Sequence, residues 1–343
     1  MHAIVIRSPG GPYVLEVSEL PDPVPGPGEV LIDVAASGVN RADLLQRAGH
    51  YPPPPGAPSW PGLEVSGRIA ATGSDVPGPD SGGWAVGDEV VALLDGGGYA
   101  TRACVAAGQV LPAPPHTDLV DAAGLPEAVC TAWSNLVDVG GVRPGSTVLV
   151  QGGSGGVGSV AVQLAKALGA RVLATAGGAQ RAARCAELGA DVAIDHRADD
   201  VVQTVLDATD GRGVDVVLDV LGAGALGSNL QMLATGGRLV VIGTQRGRRG
   251  ELDLGLLMTR RASVAGTTLR ARPAHEKAAI VAAVREHVWP MLADGRLRPV
   301  VHARLPLDEA PAAHELLDSG EVFGKVLLVS PAAPPPAPGP ARG

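Results

Sequence analysis

The sequence predicts an α/β chain: a β-rich part followed by a doubly wound parallel sheet. Short apolar runs in the first third are cut by Gly/Pro turns. From Thr147 onward, apolar β-branched runs alternate with helical stretches, the pattern of parallel strands joined by crossovers. Residues 147–158, TVLVQGGSGGVG, carry one such run through a glycine-rich turn, and an amphipathic helix continues over 160–168.

Along the chain, strands are expected near 3–6, 30–36, 63–71, 89–94 and 99–105, with one short helix at 43–48. Residues 119–139 read as a longer helical region joining two halves. Strands then fall at 147–151, 171–175, 192–194, 214–219 and 238–242, with another near 263–267. After Glu276 come a long helix, a strand near 300–305, a helix at 308–318 and a last strand at 325–329. This final stretch is expected to rejoin the first β-rich part. No internal repeat is visible.

A length of 343 residues suits two domains, and an apolar fraction of 45% can fill two cores. Aromatic residues are only 2%, so Val, Leu, Ile and Ala must do the filling. The formal charge is −8 with no basic stripe, which sets nucleic acid aside as a partner. Cys104, Cys130 and Cys185 have neither metal spacing nor the count of a disulfide framework. A reduced, cytoplasmic setting is therefore expected. The N-terminus lacks signal-peptide architecture, and no apolar run reaches membrane-spanning length, so no membrane association is expected. Residues 331–343, PAAPPPAPGPARG, read as a disordered Pro/Ala-rich tail.

The glycine-rich turn carries the first chemical signal. Gly153, Gly155 and Gly158 fit G-x-G-x-x-G between a strand and a helix. The first glycine permits the tight turn, the second admits a pyrophosphate to the backbone, and the third packs helix on strand. Gly156 and Val157 complete the helix N-terminus, whose N–H groups and positive dipole end would face the phosphates. A dinucleotide site is the reading. Residues 152–156 also satisfy G-x-S-x-G, the hydrolase nucleophile elbow around Ser154, and Asp95-Gly96-Gly97-Gly98 imitates part of an oxyanion motif. Against a hydrolase stand the β-rich third that precedes the turn and the lack of a paired later Asp and His.

On these and further residues the chain resembles the zinc-free quinone oxidoreductases of the medium-chain dehydrogenase/reductase superfamily. Within them it looks most like the tumour-suppressor-induced NAD(P)H:quinone oxidoreductases and their bacterial relatives. The carrying stretches are VAASGVNRADLLQRAGHYPPPPGA (34–57), GLEVSG (62–67), GDEVVALLDGGGYA (87–100), the glycine-rich turn, TAGG (175–178) and FGKVLL (323–328). The resemblance implies a GroES-like catalytic domain from 1–121 and 270–330, and a Rossmann cofactor domain over 122–269. It also implies a cofactor and substrate in the cleft between them, in a homodimer.

Zinc-dependent relatives have Cys where this chain has Asn40, and Gly-His-Glu where it has Gly62-Leu63-Glu64. Both soft ligands are absent, as is a four-cysteine lobe, so no metal is expected. Glu64 is read as a structural hydrogen-bonding carboxylate. The second strand ends in RVLATAGG with no acid to grip a ribose, which leaves room for a 2′-phosphate. Arg181 just beyond it is a candidate phosphate partner, where relatives have lysine. Gly178 stands where relatives often have serine. His196, in the place of a cofactor-contacting tyrosine, is expected near the adenine or that phosphate. NADPH is the expected cofactor, with NADH the second choice.

By the same resemblance, Asn40, Tyr51 and Thr131 lie at the nicotinamide and quinone. Asn40 offers an amide N–H, and Tyr51 a phenol for a quinone oxygen. Gly243 and the segment Phe323-Gly324-Lys325 should cover the cofactor, with Gly324 allowing close approach and Lys325 alternatively a surface charge. None of the eight histidines is assigned to catalysis. The expected activity is hydride transfer from NADPH to a quinone, which needs orientation and oxyanion stabilisation more than strong acid catalysis. The rival is the same hydride delivered to a C=C conjugated to a carbonyl, in an enoyl or alkenal reductase. A cofactor-binding protein with little turnover is a third reading.

Overall fold

The computed structural model describes residues 1–331, so the tail expected at 331–343 lies, except for Pro331, outside the described residues. The chain separates into two compact units. One holds Met1–Glu127, Arg270–Ala293 and the described residues from Arg298 on; the other holds Ala128–Leu269 and Asp294–Leu297.

The first unit opens with β1 (His2–Ile6) and β2 (Leu15–Glu19), an antiparallel ribbon. Next come β3 (Glu29–Val39), α1 (Arg41–Arg47), β4 (Glu64–Thr72), β5 (Glu89–Leu93), β6 (Arg102–Ala106), β7 (Val110–Pro112) and α2 (Leu119–Ala122). The helical region expected over 119–139 is broken, because Pro126 has no N–H to continue α2. It restarts as α3 (Pro126–Trp133) and ends in a π-helical segment, Ser134–Val139.

The second unit then alternates β8 (Thr147–Val150), α4 (Gly156–Ala167), β9 (Arg171–Ala176), α5 (Ala179–Glu187), β10 (Val192–Asp195), α6 (Val201–Ala208), β11 (Val214–Asp219), α7 (Leu226–Met232), β12 (Leu233–Val241), α8 (Leu254–Arg260) and β13 (Ser263–Gly266). Its sheet runs β10-β9-β8-β11-β12-β13, every pair parallel. Counted within the unit, that is the doubly wound order 3-2-1-4-5-6, and the direction of winding reverses beside β8. The core is aliphatic as the composition requires, with Leu149, Leu173, Ile194, Val217 and Leu239 from successive strands. The fold class read from the sequence is the one observed.

The chain returns to the first unit with α9 (Ala274–His287), α10 (Trp289–Ala293), β14 (Val301–Pro306), α11 (Ala310–Asp318) and β15 (Lys325–Val329). Its larger sheet runs β14-β15-β3-β4-β5-β7, and β6 also pairs with β3. β3 outruns the stretch expected at 30–36 because it has two partners on one edge. Its first half pairs with β6 and its last residues with β15. The β15 register sets Val326 opposite Val39, and β4 is registered with Val65 opposite Ser37. These pairings bring Lys325, Asn40 and Glu64 together.

Candidate active site

The turn after β8 is pinned by β9. Gly153 N–H donates to the Thr175 carbonyl at 2.8 Å, and Gly152 N–H donates to Thr175 Oγ1 at 3.0 Å. Thr175 in turn donates to Gln151 Oε1 at 2.8 Å. A Cβ on Gly158 would lie 2.0 Å from the Gly152 oxygen, and one on Gly153 would lie 2.9 Å from Ala174 Cβ. At Gly155 the nearest atom would be 3.4 Å away, so packing does not demand that glycine. Gly155 is the N-cap of α4 and provides no side-chain cap. Gly156 and Val157 therefore open a twelve-residue helix whose positive end has no anion of its own.

Beyond β9 lies a second cradle. Gly177 is buried, and a Cβ there would sit 3.1 Å from Arg181 Nη2, from Arg197 Nε and from His196 Nε2 alike. Arg181 also donates through Nε to the Gly177 carbonyl at 2.6 Å. Gly178 has φ +99° and donates its N–H to Asp195 Oδ1 at 2.7 Å. Asp195 accepts from Arg197 N–H as well, at 3.0 Å. Those backbone bonds hold its carboxyl below the usual range, with electrostatic attraction from the neighbouring His196 and Arg197 side chains adding to the effect. Two guanidinium groups and an imidazole thus meet over a bare glycine. Arg197 had no sequence signal, because it follows β10, whereas Arg181 follows β9.

In the first unit, Asn40 ends β3 and begins α1. Its side-chain N–H donates to Glu64 Oε1 at 2.9 Å, and its Oδ1 accepts from Lys325 Nζ at 2.7 Å. The same ammonium is ion-paired with Glu64 Oε1. Glu64 Oε2 accepts the Glu127 N–H at 2.9 Å. Glu64 is completely buried and Lys325 is 4% exposed, so Lys325 is no surface charge. Gly38 makes room for the carboxylate: its Cβ would fall 2.2 Å from Glu64 Oε1. Gly124 does the same for the lysine stem, 3.1 Å from Cγ.

Asn40 is itself held from behind. Its N–H donates to Asp43 Oδ2 at 2.8 Å, and Gly62 N–H donates to Asp43 Oδ1 at 2.9 Å. Burial holds the Asp43 carboxyl up at about 6 against the pull of those two N–H groups. Arg47 can only donate, so His314 Nδ1, 3.3 Å from Arg47 Nη1, is an acceptor and Nε2 carries the proton. That proton is directed at Tyr99 Oη, 3.0 Å away, and the Tyr99 hydroxyl donates to Asp43 Oδ2 at 3.3 Å. Burial, then the charge of Arg47, pushes His314 down to about 3, so the neutral tautomer persists at neutral pH. Sequence reading gave none of Asp43, Tyr99 and His314 a role. They meet only through tertiary packing of α11 and α1.

Tyr51 is half-buried, and its phenol is raised by burial above its ordinary value, so it stays protonated at neutral pH. Arg270 Cζ lies 5.5 Å from the centre of its ring. Thr131 is buried on α3, and its carbonyl accepts from Asn135 Nδ2 at 2.8 Å. Asn135 Oδ1 is met by Thr267 Oγ1 at 2.5 Å. Gly243 follows β12, and a Cβ there would lie 2.8 Å from the Val220 carbonyl. Phe323 is buried, with its N–H directed at His302 Nδ1 at 3.4 Å. Gly324 has φ +92°, and its Cβ would strike the Val300 oxygen at 2.1 Å. Packing against Val300 therefore requires that glycine whether or not a cofactor approaches it.

This donor set does not fit zinc, which takes about three ligands from thiolate, imidazole or carboxylate. Both Glu64 oxygens are already engaged, and the neighbouring groups are an amide and an ammonium. Among the described residues no His, Cys, Asp and Glu side chains group in a metal-holding cluster. Among them, too, no helix is long and apolar enough to cross a membrane.

Comparison with known proteins agrees with this architecture. Residues 26–115 match the alcohol dehydrogenase GroES-like domain, and residues 156–285 match the zinc-binding dehydrogenase family. The quinone oxidoreductase of Lama guanicoe is 33% identical over 334 residues, covering 96% of this chain and 97% of that protein. A polypeptide of the phenolphthiocerol/phthiocerol polyketide synthase of Mycobacterium tuberculosis is 33% identical over 346 residues, covering 97% of this chain, and the chain spans only 15% of its length. The solved structure of Escherichia coli quinone oxidoreductase complexed with NADPH superposes with a TM-score of 0.85 at 29% identity, over 96% of this chain and 100% of that one. The chain belongs to the medium-chain dehydrogenase/reductase superfamily, among its quinone oxidoreductase-like oxidoreductases.

Proposed function

We propose that the chain is an NADPH-dependent quinone reductase that works without zinc. The observation that carries this is the convergence of Arg181, His196 and Arg197 on Gly177. Two guanidinium forks and an imidazole suit a 2′-phosphate, and the nearest acid, Asp195, is turned onto backbone N–H groups. The bound NADPH of the E. coli relative supports the same choice. NADH is the second choice, bound without those contacts.

When bound, NADPH supplies a hydride from its nicotinamide. A quinone accepts that hydride and one proton to become the hydroquinone. Gly155, Gly156 and Val157 hold the pyrophosphate at the α4 N-terminus. Asn40 has its orientation fixed by Glu64, Lys325 and Asp43, so the acceptor meets a preorganised polar group. Tyr51, a protonated phenol that burial makes harder still to ionise, donates its hydrogen bond to a quinone oxygen as negative charge develops. Thr131, Gly243, Phe323 and Gly324 line the nicotinamide in this reading. The N-R-A-D-L and Tyr-Pro-Pro stretches favour the tumour-suppressor-induced type.

A homodimer completes the proposal. β13 is an edge strand that exposes Val264, and α8 exposes Met258 and Leu254. A second copy related by a two-fold axis would extend the sheet and cover them. A cytoplasmic setting goes with it. The second reading, reduction of a conjugated C=C, is favoured by the likeness to a segment of a polyketide synthase.

The test follows NADPH and NADH oxidation with a quinone and with an α,β-unsaturated thioester. Arg181→Ala and Arg197→Ala should each lower kcat/KM for NADPH by about tenfold or more while sparing NADH. Equal losses with both cofactors would remove the 2′-phosphate assignment. Turnover of the thioester alone would replace the quinone.

A further inference from the structure

Arg270 is a buried cation without a counter-charge in contact. It is 5% exposed. Its Nε donates to the Asp95 carbonyl at 2.6 Å. Nη1 and Nη2 are both sealed from solvent and have no hydrogen-bond partner. The Asp95 carboxylate is taken by the ammonium of Lys277, and Asp43 faces the Asn40 and Gly62 N–H groups. Gly96, at φ +153°, leaves space for Nη2: a Cβ there would stand 3.2 Å from it.

Leaving buried N–H donors unpaired carries their full desolvation cost, and a charged group suffers most. The Tyr51 ring centre lies 5.5 Å from Arg270 Cζ, and this cation–π approach is no substitute for oxygen acceptors on Nη1 and Nη2. Burial accordingly pulls the Arg270 proton affinity down, and Asp43, Tyr51 and Asp95 offset that only from a distance. The free edge is the planar fork that pairs with two oxygens at once.

We infer that Arg270 anchors the hydride acceptor, its Nη1/Nη2 edge taking the carboxylate of an anionic substrate. Tyr51, half-buried at the head of a proline-rich turn, turns to open that edge, and its hydroxyl then meets the acceptor's reducible oxygen while Arg270 holds the carboxylate. This rests on the reading of the chain as a nicotinamide-dependent reductase, and it names a charge class for the acceptor. Arg270 becomes the residue that separates acidic acceptors from neutral ones.

The experiment compares a naphthoquinone carboxylate with its methyl ester in NADPH oxidation, and titrates benzoate, which cannot be reduced, against tryptophan fluorescence. The wild-type protein should show a KM at least about tenfold lower for the acid, with similar kcat. Arg270→Gln should erase that difference and the benzoate binding while keeping NADPH binding. Arg270→Lys, which keeps the charge but loses the fork, should fall between. Equal KM values for acid and ester in the wild-type protein would overturn the proposal, and this arm needs no variant to fold. Benzoate binding that survives Arg270→Gln would overturn it as well. Arg270-dependent benzoate binding without reduction of either quinone would support the anion site and defeat the quinone reading.

Discussion

Replacing Lys325 by methionine removes the cation from a pair in which Glu64 has no contact with solvent. Breaking a buried pair from one side costs about 3–5 kcal/mol, because the remaining charge is left without compensation. Here the Asn40 amide and the Glu127 N–H still donate to Glu64, so the loss should lie near the lower bound, about 3 kcal/mol. Glu64→Gln keeps acceptors near the lysine and should cost about 2 kcal/mol. The double variant has no buried charge left at this place. It should cost about 2 kcal/mol, well short of the sum, giving a coupling of about 3 kcal/mol. Urea unfolding followed by both tryptophan fluorescence and circular dichroism would measure it, since two units can unfold separately. Additive losses, or a Lys325→Met loss under about 1 kcal/mol, would mean the ammonium is solvated and does not neutralise Glu64.

Other perturbations separate the remaining assignments. Gly158→Ala places a Cβ 2.0 Å from the Gly152 oxygen and should abolish NADPH binding measured by fluorescence titration, whereas Gly155→Ala, with its nearest contact at 3.4 Å, should leave the fold intact and weaken binding only. For pH, Asp43 near 6 is protonated in the folded state where the unfolded carboxyl is not, so it lowers stability as pH rises from about 4 to 6. His314 near 3 acts oppositely: the unfolded imidazole binds a proton that the folded one refuses, so stability is lost as pH falls below about 6.5. Relative to His314→Gln, the wild-type protein should therefore gain about 3 kcal/mol between pH 4 and 7, and parallel pH curves would contradict that sign. Val264→Lys on the β13 edge should shift the protein toward monomer in sedimentation velocity; an unchanged mass would place the dimer contact elsewhere or remove it.

Residues that act through local spacing were legible in the sequence. The turn from Gln151 to Gly158 combines strand, glycines and helix in one short stretch, and its packing demands are visible in the pattern. The alternation after Thr147 likewise specified a parallel sheet. What was illegible depends on register between distant segments. Lys325 could be read as a surface charge until β15 was placed against β3. Arg197, Arg270 and His314 carry no motif, and their meaning comes from what tertiary contact puts beside them. Gly324 was legible as a required glycine, but its packing reason was not, because Val300 is brought to it by the β14–β15 pairing. The interruption at Pro126 was readable in principle, and helical periodicity on both sides of it concealed the break.

The return of β15 to β3 has a consequence for biosynthesis. All of the second unit except Asp294–Leu297 is the contiguous stretch 128–269, so it can fold on a ribosome soon after that stretch emerges. The first unit cannot: its sheet needs Lys325–Val329 along the second half of β3, and α11 must arrive to cover Leu44 and Tyr99. Until the last strand leaves the exit tunnel, β3 presents an open apolar edge and Glu64 has no cation. The N-terminal half of the nascent chain thus waits longest for its partners, and chaperone demand should concentrate there. A premature stop shortly before residue 325 would yield a folded second unit tethered to an unfinished and aggregation-prone first.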